Sequence, residues 1–130
     1  MDNIQFEATN SSPSIVTHFE IGQVEIRGKS YPEDTYDFFL PLVNWLKSYL
    51  ESNKEALSVI FEIQYFNSTS SQVFYTIFEI LEKALHKGKI IKIDWEFDPE
   101  NSSVEEEGED FQEEFETLTI NMVPKKGDIL

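Results

Sequence analysis

The segment from Leu57 to Phe97 constrains the fold most, because its hydrophobic pattern changes period twice. Residues 57–66 (LSVIFEIQYF) alternate apolar and polar side chains, residues 73–85 repeat apolar side chains every three or four positions, and residues 89–97 (KIIKIDWEF) alternate again. Alternation is typical of a strand, and the longer period is typical of an amphipathic helix that here ends at Gly88. A strand, a helix and a strand in this order predict a crossover between two parallel strands.

The two strands of this unit each have one apolar and one polar side. The residues expected on the inner side are Val59, Phe61, Ile63 and Tyr65 in the first strand and Ile91, Ile93, Trp95 and Phe97 in the second. A sheet covered by helices on both faces would be apolar on both sides. The pattern therefore predicts helices mainly on one face and a partly solvated face opposite.

The remaining segments extend this unit. A short strand is expected at residues 4–8, and a hairpin around Gly22 with Ile15, Thr17, Phe19 and Ile21 on one face. Residues 31–53 show a helical stripe, kinked or broken near Pro41. Residues 117–123 are a candidate edge strand. Whether the acidic segment 105–116 is ordered stays open. Together these elements predict a single α/β domain over residues 1–130 with a mixed sheet.

Composition excludes several classes of function. The chain has 25 acidic and 10 basic residues and a net charge of −15, which disfavours nucleic acids and anionic membranes as partners. It has no cysteine, and His18 and His86 lack metal-ligand spacing, so neither metal nor cofactor is expected. Without an apolar signal region or a stretch of about 20 apolar residues, a soluble cytoplasmic protein is expected.

Carboxylates are too frequent to indicate catalysis. Glu62, Asp94 and Glu96 are expected on the same polar strand face, where two of them could serve as acid and base. In so acidic a chain, such proximity is expected by chance, and no phosphate-binding glycine loop or nucleophile motif accompanies it. The chain is therefore not expected to be an enzyme.

Four consecutive hydroxyl side chains, Ser68 to Ser71, lie between the first strand and the helix of the central unit. Hydroxyl residues and Asn cap helix N-termini, which explains one of the four. The same free N–H groups and the helix dipole also stabilise a phosphate, so a hydroxyl here could be modified without unfolding the domain. From the residues alone, the cap is the favoured interpretation.

Three motifs together resemble the SiaC family of bacterial regulatory phosphoproteins. They are SYPEDTYDFFLPLVNWLKSYL at residues 30–50, YFNSTSS at residues 65–71 and IKIDWEFD at residues 91–98. The resemblance covers nearly the whole chain and implies a fold similar to the STAS domains of anti-sigma-factor antagonists. It also implies a switch: a Ser/Thr protein kinase modifies the turn, a PP2C-type phosphatase resets it, and the unmodified form binds and activates a diguanylate cyclase that controls biofilm formation.

By this resemblance, Asn67 precedes the phosphoacceptor and Ser68 occupies the acceptor position. Thr69 remains an alternative acceptor, because the family often has Thr where this chain has Ser68. Ser70 is a weaker alternative acceptor and also a candidate for the helix cap, and Ser71 completes the acceptor turn.

The helical stripe in residues 31–53 is wider than one buried face requires. One or two of its aromatic side chains, which are Phe38, Trp45 and Tyr49, are therefore expected to stay exposed. Trp45 and Tyr49, together with Tyr65 from the first strand of the central unit, are the candidates for partner binding. The predicted function is a non-enzymatic partner switch controlled by phosphorylation. The alternative is a constitutive acidic interaction module in which the hydroxyl run only caps a helix.

Overall fold

A computed structural model describes residues 2–125 of the chain. Its elements are the strands β1 (Gln5–Phe6), β2 (Ser14–His18), β3 (Gln23–Ser30), β4 (Ala56–Phe66), β5 (Ile90–Phe97) and β6 (Ile120–Pro124), and the helices α1 (Thr35–Glu51), α2 (Ser68–His86) and α3 (Ser102–Glu114). Within these residues, none of the helices is long and apolar enough to cross a lipid bilayer.

The six strands form one mixed sheet in which spatial order equals chain order. Strands β1, β2 and β3 pair antiparallel, as the predicted hairpin requires. Strands β3 to β6 pair parallel, and each parallel connection contains one helix. The crossover predicted for residues 57–97 and the final edge strand are both confirmed.

All three helices pack on the same face of the sheet. The ring of Phe61 on β4 lies 5.4 Å from that of Phe74 on α2, which in turn lies 5.7 Å from Phe39 on α1. Trp95 on β5 lies 5.6 Å from Phe111 on α3. Aromatic pairs in this range stabilise a core beyond the area they bury. The two-layer α/β architecture is therefore confirmed, with one continuous hydrophobic cluster joining sheet and helices.

Helix α1 runs without a break through Pro41, and it buries its wide aromatic side. Trp45 and Tyr49 are each only 2% exposed. Phe19 from the hairpin packs edge-on against both rings, and the Tyr49 hydroxyl donates to the Ala56 carbonyl at 2.6 Å. The prediction that Trp45 or Tyr49 stays exposed for partner binding is wrong, because the hairpin covers the part of the stripe that the sheet leaves open.

Two side chains face differently from the alternation pattern. Strand β2 ends at His18, so Ile21 falls in the turn and is 69% exposed. On β4, Gly28 pairs with Ile63 but Lys29 pairs with Tyr65, which leaves Gln64 as an extra residue in a β-bulge. The bulge reverses the alternation and turns Tyr65 outward, while Phe66 becomes buried.

The acidic segment left open by the sequence is helical as α3, despite its like charges. The helix depends on tertiary contacts, because it packs so closely on Trp95 that a Cβ on Gly108 would lie 2.6 Å from the indole ring. The indole N–H donates to the Val104 carbonyl at 3.1 Å, and Phe111 and Phe115 are buried. Packing of this kind outweighs the weak helix propensity of the segment.

The open face of the sheet carries a network of ion pairs that joins β3, β4, β5 and the residue directly after β6. Arg27 on β3 donates to Glu25, Glu62 and Glu96, and Lys125, directly after β6, contacts Glu62 and Glu96 at 3.0 and 3.1 Å. The side chain of Glu96 is only 13% exposed. Burial opposes its ionisation, but hydrogen bonds from Arg27 and Lys125 outweigh this effect and lower the pKa of Glu96.

Removal of the Glu96 charge is expected to destabilise the fold in a pH-dependent way. A carboxylate whose pKa is lowered by folding contributes stability above its unfolded pKa, and this contribution disappears as the pH falls through the folded pKa. In urea denaturation at pH 7, Glu96→Gln should lower the free energy of unfolding by about 1.5–3 kcal/mol, the typical value for hydrogen bonds to a charged group. As the pH falls through the folded pKa of Glu96, which lies below the ordinary value for a glutamate, the difference from the wild-type protein should disappear.

The exposed carboxylate Glu100 supplies the control, since it lies outside the ion network in the described part of the chain. Glu100→Gln should change stability by less than about 0.5 kcal/mol at either pH. A Glu96→Gln effect that is equal at pH 7 and at low pH would show that shape, and not charge, accounts for the loss.

Candidate functional site at the β4–α2 turn

The hydroxyl run lies at the edge of the sheet where the parallel strands end and all three helices begin. Strand β4 ends at Phe66, Asn67 forms the junction and α2 starts at Ser68. The end of β3 lies alongside, because Ser30 pairs with Phe66. Helix α1 begins nearby, so side chains from β3, α1 and α2 meet around the turn. This edge is a common place for binding sites in parallel sheets.

Asn67 is the N-cap of α2. Its side-chain oxygen Oδ1 accepts from the backbone N–H of Ser70 at 3.0 Å and from the Thr69 hydroxyl at 3.1 Å. Its own N–H donates to the Ser30 carbonyl at 3.1 Å. Asn67 therefore caps the N-terminus of α2 and links the turn to β3 through a backbone hydrogen bond. The prediction that Ser70 serves as the cap is wrong.

Ser70 is instead part of the core. The residue is 0% exposed, and its hydroxyl lies 2.9 Å from the Ser30 carbonyl oxygen and 2.7 Å from the Ser30 hydroxyl. Ser30 is equally buried. A buried hydroxyl needs such partners, since an unpaired one costs free energy. Ser70 thus joins α2 to the end of β3 and is inaccessible to a modifying enzyme.

The other three hydroxyl residues differ in accessibility. Thr69 is half-buried, and its hydroxyl lies 3.0 Å from that of Thr35 on α1, in addition to its bond with Asn67. Ser71 is half-buried. Ser68 is exposed at the first position of α2, and among residues 2–125 its hydroxyl has no hydrogen-bond partner. Ser68 is therefore the accessible hydroxyl of the turn.

Exposed aromatic side chains surround the turn, and we call Tyr31, Tyr36 and Tyr65 the tyrosine edge. Tyr65 is 53% exposed, and its ring lies 5.7 Å from that of Tyr31. Tyr36 on α1 is 57% exposed, and its hydroxyl donates to Gln72 on α2 at 2.6 Å. Exposed tyrosines that are already held in position are typical of protein-binding surfaces. Of the three residues predicted to bind a partner, only Tyr65 lies on this surface.

The start of α1 adds negative charge near the turn. Asp37 hydrogen-bonds to Asp34, and this contact together with the charge of Asp37 raises the pKa of Asp34. Within residues 2–125, no group of three or more His, Asp or Glu side chains is arranged to hold a metal ion. The chemistry that the turn offers is a free serine hydroxyl at a helix N-terminus beside an aromatic surface.

Ser30, Tyr31, Thr35, Tyr36 and Gln72 complete the site and were missed by sequence reasoning. A partial signal existed for Ser30 and Tyr31. Parallel neighbours place their carboxyl ends at one edge, so the residues after β3 had to lie near those after β4. No sequence signal pairs Thr35 with Thr69 or Tyr36 with Gln72, since these contacts depend on how α1 packs against α2.

Comparison with known proteins identifies the family. A sequence profile of the SiaC family regulatory phosphoproteins matches residues 6–125. An uncharacterized protein of Pseudomonas aeruginosa (strain UCBPP-PA14) is 28% identical over 114 residues, which is 88% of this chain and 90% of that protein.

Solved structures of SiaC from Pseudomonas aeruginosa share the fold. The crystal structure of apo-SiaC superposes with a TM-score of 0.89 at 25% identity, over 95% of this chain and 99% of the other. SiaC in the crystal structure of the diguanylate cyclase SiaD in complex with its activator SiaC gives a TM-score of 0.89 at 25% identity, over 94% and 99% of the two chains. The match over residues 6–125 shows that this chain belongs to the SiaC family of regulatory phosphoproteins.

Proposed function

We propose that this protein is a non-enzymatic partner switch whose binding to an effector is controlled by reversible phosphorylation of Ser68. The unmodified form binds and activates the effector, and a diguanylate cyclase is the proposed effector because SiaC is described as the activator of SiaD. A Ser/Thr protein kinase would add the phosphate and a PP2C-type phosphatase would remove it, in the cytoplasm. The observation that carries the proposal is that Ser68 is the exposed and unengaged hydroxyl of the turn.

Accessibility favours Ser68 over Thr69 as the acceptor. A kinase must reach the hydroxyl oxygen and align it with the transferred phosphoryl group. Thr69 would first have to give up its contacts with Asn67 and Thr35, which also hold the N-terminus of α2 against α1. Ser68 can be modified while the cap, the Ser70–Ser30 bonds and the core stay in place.

A phosphate on Ser68 would be tolerated by the fold. The backbone N–H groups of Ser68 and Thr69 precede the first N–H that donates within the helix, that of Ser71, and among residues 2–125 neither donates to another group. Such N–H groups and the positive end of the helix dipole stabilise an anion. Modification would therefore change the surface of the protein and leave its stability nearly unchanged.

The same phosphate would weaken docking at the tyrosine edge. Phosphorylation adds about −1.5 to −2 charges with a strongly held hydration shell, beside a surface that already carries Asp34 and Asp37. A partner that covers the tyrosines would have to desolvate the phosphate or leave a gap around it, and both reduce affinity. The unmodified turn is thus the binding form.

Phosphopeptide mass spectrometry tests the acceptor assignment. On protein purified from its own cells under varied growth conditions, phosphate is expected on Ser68 in the peptide that covers Tyr65 to Lys83. Ser68→Ala should abolish the modification, whereas Thr69→Ala should leave it in place. Phosphate on Thr69 in the wild-type protein would overturn the choice of acceptor. An unmodified peptide under all conditions would instead favour the constitutive interaction module.

A further inference from the structure

A groove between the last turns of α1 and α2 has no part in the proposed switch. It has a volume of about 330 Å³ and is lined by Lys47, Leu50 and Glu51 of α1, by Ile80, Lys83 and Ala84 of α2, and by Lys87 and Lys89 just after α2. Since α2 rises about 1.5 Å per residue, the groove lies about 20 Å from Ser68 along the helix. It is therefore a separate surface at the opposite end of the helix pair.

The charge of the groove is opposite to that of the molecule as a whole. Four of the ten basic residues of this strongly acidic chain line it. Lys89 is engaged locally, because its ammonium group donates to the carbonyls of Ser52 and Lys54. Lys47, Lys83 and Lys87 are exposed, and among residues 2–125 none of the three forms an ion pair. Unpaired lysines are unexpected in a chain with so many carboxylates available.

The helix dipole accounts for only part of this arrangement. Lys83 and Lys87 lie at the C-terminal end of α2, where a positive charge is stabilised by the dipole. Lys47 lies one turn before the end of α1, followed one turn later by Glu51, and yet it also faces the groove. Lys47 of α1, Lys83 of α2 and Lys87 directly after α2 thus line the same groove as the apolar side chains of Leu50, Ile80 and Ala84.

We propose that this groove binds an acidic amphipathic helix of a partner protein. An apolar side chain of the partner would enter between Leu50 and Ile80, and carboxylates one turn to either side would meet Lys47, Lys83 and Lys87. Opposite charges beside the apolar side chains increase the rate at which the two proteins meet, and they also fix how the partner helix is aligned in the groove. At physiological salt, charges more than about 8 Å away are largely screened, so these lysines outweigh the net charge of the chain for a docked ligand.

The lining of the groove favours a helix over a nucleic acid. It contains no aromatic side chain on which a base could stack, and its cations are lysines without the bidentate geometry of arginine. Partly buried Leu50 and Ile80 instead need an apolar partner to exclude water. The proposal concerns a second contact surface, and it does not depend on phosphorylation of Ser68.

Fluorescence anisotropy with a defined probe tests the proposal. The probe is a fluorescein-labelled peptide of about 14 residues, or four helical turns, with leucines on one face and glutamates beside them. The full-length protein should bind it, with affinity that falls as salt is raised. Lys83→Glu/Lys87→Glu should weaken binding at least about tenfold, and Ile80→Gln should weaken it without changing the salt dependence.

A matched pair of lysines outside the groove provides the control. Lys29→Glu/Lys92→Glu makes the same change in net charge at two exposed positions on the sheet and should leave binding within about twofold of the wild type. Equal losses in the two double variants would overturn the proposal, since net charge alone would then explain binding. No binding of the probe by the wild-type protein at low salt would overturn it as well. Equally tight binding of a single-stranded oligonucleotide of the same charge would overturn the choice of a protein helix.

Discussion

Substitution of Ser68 by Asp is expected to abolish or strongly weaken effector binding without unfolding the protein. The carboxylate places a negative charge at the first position of α2, where the helix dipole and two free N–H groups stabilise it. The melting temperature should therefore stay the same or rise slightly. Affinity for a purified diguanylate cyclase of the same organism, measured by isothermal titration calorimetry, should fall at least about tenfold, or about 1.4 kcal/mol.

Ser102→Asp is a closely matched control for this substitution. Ser102 is an exposed serine at the first position of α3, and it follows the N-cap Asn101 as Ser68 follows Asn67. Ser102 follows β5, on the opposite side of β4 from β3 and α1, the elements that position Tyr31 and Tyr36, while the Asn101 side chain donates to the carbonyl of Gln64 beside Tyr65. Ser102→Asp should leave affinity within about twofold of the wild type. Equal weakening by both substitutions would show that the turn is not the docking site, and no effect of either would support the constitutive interaction module.

Helices and strands with a regular hydrophobic pattern could be predicted from the sequence. Features that depend on contacts between distant residues could not. The alternation in β5 predicted the buried side of the strand correctly, because every residue there follows the pleat. In β4 the extra residue Gln64 turns Tyr65 outward. The carbonyl of Gln64 accepts a hydrogen bond from the Asn101 side chain at 2.9 Å, and Asn101 is distant in the sequence. Alternation alone contains no information about such a bulge.

The candidate site shows the same division. The turn itself could be predicted, because a hydroxyl run between a strand and a helix has few other roles. The roles of its members could not, since Ser68 and Ser70 are chemically identical and differ only in what covers them. Ser70 is buried because the end of β3 places Ser30 against it, forty positions away in the sequence. Helix α3 was similarly undetermined, because its stability comes from contact with Trp95 and not from its own residues.

Because Ser70 is buried, substitution of Ser70 by Asp is expected to cause loss of the folded state. The side chain at this position is 0% exposed, and the nearest polar groups are the carbonyl and the hydroxyl of Ser30. A carboxylate would lie against the carbonyl oxygen, which cannot donate to it, and would have to be buried without a cation. An unpaired buried charge typically costs about 3–5 kcal/mol, a large fraction of the stability of a domain of this size.

Circular dichroism melting curves of Ser70→Asp, Ser70→Ala and Ser68→Asp test whether burial of Ser70 decides the effect of the substitution. Ser70→Ala removes both hydrogen bonds to Ser30 without adding charge and should cost about 1–3 kcal/mol, so this variant should remain folded. Ser70→Asp should be unfolded or should melt more than about 10 °C below the wild type. A well-folded Ser70→Asp variant would show that the α2 N-terminus separates easily from Ser30. Ser70 would then become accessible, and the argument that restricts phosphorylation to Ser68 would no longer hold.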